Sequence, residues 1–330
     1  MVESADTIGR SERARVAAVT TAVVAIVIGL VGPSATAQAN DAAVHWTQMN
    51  PATSPSARYE ATLAYDAAHQ KVVLFGGANS SGSSNETWLW NGTNWLQKHP
   101  AHSPPARSYQ FMAYDSTHHY VILFGGIGGP GWLGDTWTWD GTDWTEQHPA
   151  TSPAPRSTYG GMSNDPDVGG VVLYGGYDQT NLYFDTWKWT GSNWVQITTT
   201  AHPSGYIPAL AYSKGLGGVI SFADGGNQTW LFDGSDWSIQ FPATSPPGRY
   251  EAGLASVGQG DALFGGGYGG AFFHDTWYFN GSNWAILSGA SPPARGYLGM
   301  TYDAARGKVV MFGGLDETGT YFGDTWTLGP

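Results

Sequence analysis

Five arginines recur in one local setting. "SPSARYE", "SPPARSY", "PAPRSTY", "PPGRYEA" and "SPPARGY" contain Arg58, Arg107, Arg156, Arg249 and Arg295. A guanidinium is a fixed fork of donors that suits carboxylates, phosphates and paired hydroxyls. A set of them held around one axis would face an anionic or polyhydroxylated ligand. The rival reading is that a residue repeated this often serves the repeat itself. Three carboxylates could supply acid or base chemistry: Glu60 and Glu251, each two residues after an arginine, and Asp224 in the irregular stretch "SFADGG". Aromatic faces beside polar forks suit sugar rings, and Trp132, Tyr183, Phe273 and Tyr321 sit in connecting segments, with Tyr206 next to the Gly205 that replaces a sixth arginine. Metal and cofactor chemistry find little support. The chain has no cysteine, and its nine histidines are scattered, with His118 and His119 in a turn and His274 alone. No cofactor and no metal ion is therefore expected.

These residues hang on a repeat. "DTWTWDGTDW" from Asp135 has close copies from Glu86, Asp185, Gln228 and Asp275, and a truncated one, "DTWTLGP", from Asp324. The tryptophans that end the complete copies, Trp95, Trp144, Trp194, Trp237 and Trp284, are 49, 50, 43 and 47 residues apart. That period belongs to propellers and solenoids. Each period runs through a moderately apolar strand, a continuous apolar strand such as "KVVLFGG", a variable loop, an alternating strand such as "TWLW", an "NGTN" or "DGTD" hairpin signal, and a last strand. Helical periodicity is absent, so the fold class is all-β, built from four-stranded antiparallel blades. The indoles are expected between neighbouring blades. The acid before each Thr-Trp is expected to hydrogen-bond nearby backbone.

An arginine opening the inner strand, a Gly-Gly closing the second and an aromatic pair further on resemble the kelch repeat, with the galactose oxidase central domain as a relative in architecture. The resemblance implies a six-bladed propeller over residues 40–330, and kelch propellers include both enzymes and plain binding modules. The copper radical site of galactose oxidase needs a cysteine that this chain lacks. The chain is also similar to the exported bacterial sialic acid mutarotases. That likeness implies an acid-sugar pocket. The alternative to pure binding is a metal-free sugar mutarotase, isomerase or lyase that uses carboxylates and arginines at the channel mouth. Closure can be read as well. Trp46 precedes Arg58 by twelve residues, the same interval as Trp95 to Arg107, Trp144 to Arg156 and Trp237 to Arg249. The segment around Trp46 is thus a last strand without a blade before it, and "DTWTLGP" is a third strand without a fourth. Together they make the sixth blade.

Residues 1–39 stand apart. Arg10, Arg13 and Arg15 precede the uncharged run Val16–Gly32, and "PSATAQAN" offers small-residue cleavage after Ala37 or Ala39. This is the layout of a secretory leader, although about 17 apolar residues is also the short limit for a membrane anchor. Losing it removes three basic and three acidic residues, so the net charge stays at −12. Such a surface repels phosphate backbones, which argues against nucleic acid. The expectation is a secreted monomer that is off the membrane once processed and binds carbohydrate or an extracellular protein. Intact mass of exported material should show a chain beginning at Gln38 or Asn40. A mass that retains residues 1–37 would favour the anchor instead.

Overall fold

A computed structural model describes residues 44–204, 209–223 and 227–330. Among them there is no helix, and the strands form six small antiparallel sheets arranged as a six-bladed β-propeller. In blade one, Thr62–Asp66, Lys71–Phe75, Thr87–Trp90 and Trp95–Lys98 pair in that order from the axis outward. Blades two to five repeat the pattern. Blade six takes three strands from the C-terminal end and its outermost, His45–Met49, from the N-terminal end. Trp46 lies opposite Leu328 in an antiparallel pair with Thr325–Gly329. The shared closing blade read from the spacing of Trp46 is therefore present.

The ten-residue repeat can be explained nearly position by position, and blade two shows how. Asp135 pairs with Arg107 and also accepts the indole N–H of Trp137 at 2.7 Å. The Thr136 hydroxyl accepts Trp194 Nε1 from blade three at 3.0 Å. Trp139 is fully buried in the apolar layer between blades one and two, with Val73, Phe75, Val121 and Leu123. Asp140 caps the turn by accepting the N–H groups of Thr142 and Asp143. Gly141 has φ of 99°, and a Cβ there would sit 2.4 Å from the His69 ring of blade one. Asp143 accepts the His102 N–H of the preceding link at 2.8 Å. Trp144 closes the stretch by donating Nε1 to Thr87 of blade one at 2.9 Å.

Two details differ from the sequence reading. The turn spans four residues rather than two, since Trp90 pairs with Trp95 across Asn91–Asn94. Asn91 Oδ1 accepts the N–H groups of Thr93 and Asn94, so a side chain takes donors that a two-residue turn would pair across the hairpin. The acid before Thr-Trp bonds chiefly to the arginine of its own blade rather than to backbone: the guanidinium reaches both oxygens of Asp135, Asp185, Asp275 and Asp324 and one oxygen of Glu86.

In blades one, two, five and six the Gly-Gly that ends the second strand is a docking point for the next blade. Gly77 N–H donates to the Arg107 carbonyl at 3.0 Å, and Gly126, Gly266 and Gly314 do the same to Arg156, Arg295 and Arg58. A Cβ at the first glycine would collide with that carbonyl, at 2.6 Å for Gly76 and 2.5 Å for Gly125. Two backbones approach too closely there for any side chain. The Arg strand is thereby set in place by its neighbour before its side chain does anything.

Deleting residues 44–50 should open the ring by removing the strand that closes blade six, along with the Trp46 bond to Thr276. Losing one large buried aromatic alone costs about 3–5 kcal/mol, so a fall in Tm of well over 5 °C is expected. Shortening the exposed tip at Ser80–Gly82 should move Tm little. Equal losses from both deletions would contradict closure by the N-terminal strand.

Candidate functional site

The repeated arginines are spent inside the blades. Arg58, Arg107, Arg156, Arg249 and Arg295 are at most 2% exposed. Each donates Nε to the carbonyl two residues earlier and Nη1 to the first glycine of its Gly-Gly, and each meets the acid before Thr-Trp. The ion pairs are Arg58–Glu86, Arg107–Asp135, Arg156–Asp185, Arg249–Asp275 and Arg295–Asp324, all at 2.5–2.6 Å. Burial works to raise the acids, but the arginine bonds and charge, with the adjacent indole, outweigh it and hold Glu86, Asp135, Asp275 and Asp324 below the usual carboxylate range. Four of the five N–H donors of each guanidinium are used within its own blade, and burial closes the group to a ligand. Gln228 stands where the acid would be in blade four, the one blade that has Gly205 instead of arginine, and accepts Trp230 Nε1 at 3.0 Å. Acid and arginine are lost together, as a pair that serves the blade should be. Tyr183 and Phe273 lie flat over Arg156 and Arg249, at 3.8 and 4.3 Å from ring centre to guanidinium carbon, and Phe322 covers Arg295 in the same way. They are lids on the ion pairs. Trp132 packs edge-on against Tyr177. Tyr206 and Asp224 lie outside the described residues.

What faces the axis is the second residue after each arginine: Glu60, Tyr109, Thr158, Glu251 and Tyr297. Four of these five, all but Thr158, hold φ between 54° and 61°, a conformation that costs a side-chain-bearing residue about 1–3 kcal/mol. Neighbouring blades fix it. Glu60 N–H donates to the Tyr297 carbonyl at 2.9 Å, Tyr297 N–H to Glu251 at 3.2 Å and Thr158 N–H to Tyr109 at 2.8 Å. This collar separates two cavities. On the side of the Arg links lies a cup of about 420 Å³ lined by Tyr59, Tyr109, Tyr250, Phe272, Tyr297 and Tyr321, with Asp316 and Glu317 at its edge. Tyr59, Tyr109 and Tyr297 meet edge-to-face at 6.0–6.3 Å from one another, and Tyr321 stacks on Tyr59 at 5.6 Å. On the far side runs a channel of about 480 Å³, lined by Glu60 and Glu251 at its inner end. Tyr297 lines both.

The two carboxylates proposed from "RYEA" are thus brought together. Burial, then the charge of Glu251, pushes Glu60 up to about 8, although Thr158 donates its hydroxyl to Glu60 at 3.3 Å. Burial, then Glu251, raises Tyr297, whose hydroxyl is bonded to Glu251. Among the described residues, Tyr321 is the one of Trp132, Tyr183, Phe273 and Tyr321 that reaches the cup. Tyr59, Tyr109, Tyr250 and Tyr297 are absent from the sequence-based selection. A signal for three of the axial positions existed. The residue two after arginine changes from blade to blade while the arginine does not, and positions free to vary within a fixed scaffold are those facing open space. Among the described residues no three His, Asp or Glu side chains gather as metal ligands.

Two measurements follow from this geometry. Arg107→Ala strands the partly buried Asp135 and should cost about 3–5 kcal/mol, the scale for breaking a buried pair by one partner. Gln228→Asp places an acid in the blade that lacks the arginine and should also lower Tm, whereas a gain there would refute the pairing. The second measurement is pH-dependent. Glu60 is neutral in the folded state up to about pH 8 but ionises near 4.3 in the unfolded chain. Its neutral form therefore favours folding at low pH, and that advantage drains away as pH rises from about 4.5 to 8. Asp261, raised to about 7 by burial despite the Ser213 and Ser256 hydroxyls, slopes the same way, so variant and parent must be compared. Glu60→Gln should gain Tm over the parent at pH 8.5 and little at pH 5. An equal difference at both values would show that Glu60 does not titrate in that window.

A search of curated proteins returned no match. The KLHDC2/KLHL20/DRC7 Kelch-repeats domain matches residues 37–213. That span is more than half of the chain, and it agrees with the six blades, their internal Arg–acid pairs and their Gly-Gly joints, so the chain belongs to this Kelch-repeat family.

Proposed function

We propose that this protein is a binding propeller whose site is the tyrosine-lined cup and whose ligand is a segment of a partner protein. The cup carries the proposal. Five tyrosines and a phenylalanine converge there, offering large stiff faces and hydroxyls at low entropic cost. Kelch propellers commonly bind proteins, which supports the reading. The arginines are withheld from the surface and Asp316 and Glu317 flank the opening, so the segment that fits is neutral or basic rather than acidic. The residues that recognise it are Tyr59, Tyr109, Tyr250, Tyr297 and Tyr321, with no cofactor. The leader expected at residues 1–39 would make that partner an extracellular one.

Carbohydrate is the competing ligand, since sugar rings also stack on tyrosine. The metal-free isomerase or lyase has a narrower footing. It rests on the nearness of Glu60 and Glu251, and both line the channel rather than the cup, so a sugar seated among the tyrosines would not meet them. A displayed random-peptide library and a glycan array, each screened against the parent protein and the Tyr59→Ala and Tyr321→Ala variants, test the proposal. Peptides selected on the parent should bind at least tenfold more weakly to both variants, with Tm lowered by no more than a few degrees. Glycan hits lost in the same variants would reassign the cup to carbohydrate. Ligands that bind parent and variants alike would place the site elsewhere.

A further inference from the structure

The channel on the other side of the collar calls for a different occupant. It opens among the turns that carry Lys214 and Gly258 and runs inward to Glu60, Thr158, Glu251 and Tyr297. Between the two ends its wall carries the side chains of Leu63, Met112, Leu210, Leu254, Leu298 and Met300, with Thr62 and Thr301 among them. The inner end is rich in acceptors. Glu60 and Glu251 lie close enough for the charge of one to act on the other. Positive charge is missing from this end. Arg58 and Arg249 are held by Glu86 and Asp275, and Lys214, the cation among the described lining residues, belongs to the mouth.

We propose that the channel is a binding site for a free primary alkylammonium, which seats its charged nitrogen between Glu60 and Glu251 and lays its stem along the apolar wall. An ammonium carries three donors and no acceptor, which matches a pair of carboxyls. Two acids buried together without a cation are costly, and the collar meets this by keeping a proton on Glu60. The ammonium replaces that proton. On binding near neutral pH, Glu60 gives up one proton to solvent and the amine, with an ordinary pKa of about 10.4, stays protonated. Charge is thereby conserved. Affinity rises with pH up to about 8 and levels off above it, where Glu60 is already ionised before the amine binds. The titratable groups facing this position are Glu60, Glu251 and Tyr297, with Tyr59 and Tyr109 behind them.

Titration calorimetry with n-hexylammonium, n-hexanol and hexanoate as probes, at pH 6, 7 and 8 and in two buffers of different ionisation enthalpy, tests the site. The ammonium should bind at least tenfold more tightly than the alcohol and hexanoate should not bind. Affinity should climb between pH 6 and 8 with up to one proton released per amine. Glu60→Gln and Glu251→Gln should each lose at least tenfold, and Glu60→Gln should also lose the proton release. Equal binding of hexanol and hexylammonium, no binding of the amine, or unchanged affinity in the Glu60→Gln/Glu251→Gln double variant would overturn the proposal. If Glu251→Gln fails to fold, the comparison of amine with alcohol and the proton count on the parent protein decide it. Tyr321→Ala should leave amine binding unchanged, because that side chain lines only the cup. The channel site and the cup can thus fail separately.

Discussion

The fold turns on one hydrogen bond made six times. In each blade the last-strand tryptophan donates its indole N–H to the threonine hydroxyl of the preceding blade: Trp95 to Thr325, Trp144 to Thr87, Trp194 to Thr136, Trp237 to Thr186, Trp284 to Thr229 and Trp46 to Thr276, at 2.8–3.0 Å. A buried indole N–H without an acceptor is costly, so the bond decides which face of one blade meets which face of the next. The indole rings meanwhile fill the apolar layers on either side, as Trp144 does against Phe75 at 5.2 Å. Packing supplies the energy and the hydrogen bond supplies the register. The series closes only because Trp46 brings the N-terminal segment back to blade five.

A second set of constraints works within five of the six blades. The arginine, its acid, the Gly carbonyl and the indole after the acid form a buried polar unit in which every partner finds another. It costs two desolvated charges, so its value lies in orientation as much as in stability. Held by that unit and by the Gly-Gly of the preceding blade, the short segment after arginine is presented to the axis in an unfavourable backbone conformation at Glu60, Tyr109, Glu251 and Tyr297. The scaffold thus fixes where four variable side chains point and leaves their chemistry open. Tyrosine at two of them, together with Tyr59, makes an aromatic layer, and glutamate at the other two makes an acidic end beneath it.

This division of labour accounts for two cavities of unlike chemistry in one ring. The cup is aromatic, open to the links and edged with acid, which suits a partner that presents a chain segment. The channel enters from the opposite face, carries leucine and methionine side chains along its wall and ends in two carboxyls. Neither depends on the arginine repeat for contact with a ligand. Both depend on it for position, so an arginine substitution should be read first as a defect of the blade.

The sequence by itself determined the architecture. The 43–50 residue period, the alternation in "TWLW", the Gly-Gly after each apolar run and the equal Trp-to-Arg intervals establish six four-stranded blades and a shared closing one, because strand pattern and turn chemistry are local properties. It also singled out Glu60 and Glu251. Tertiary structure alone decided what the arginines do. A repeated guanidinium reads the same whether it faces an open channel or an acid 28 residues further along its own blade, and only the pairing of Arg107 with Asp135 across the folded sheet distinguishes the two. It alone also gathered Tyr59, Tyr109 and Tyr297, which lie far apart in the chain and meet because three blades converge on one axis. Spacing along a chain carries strands and turns, but which side chains share a cavity depends on how the ring closes.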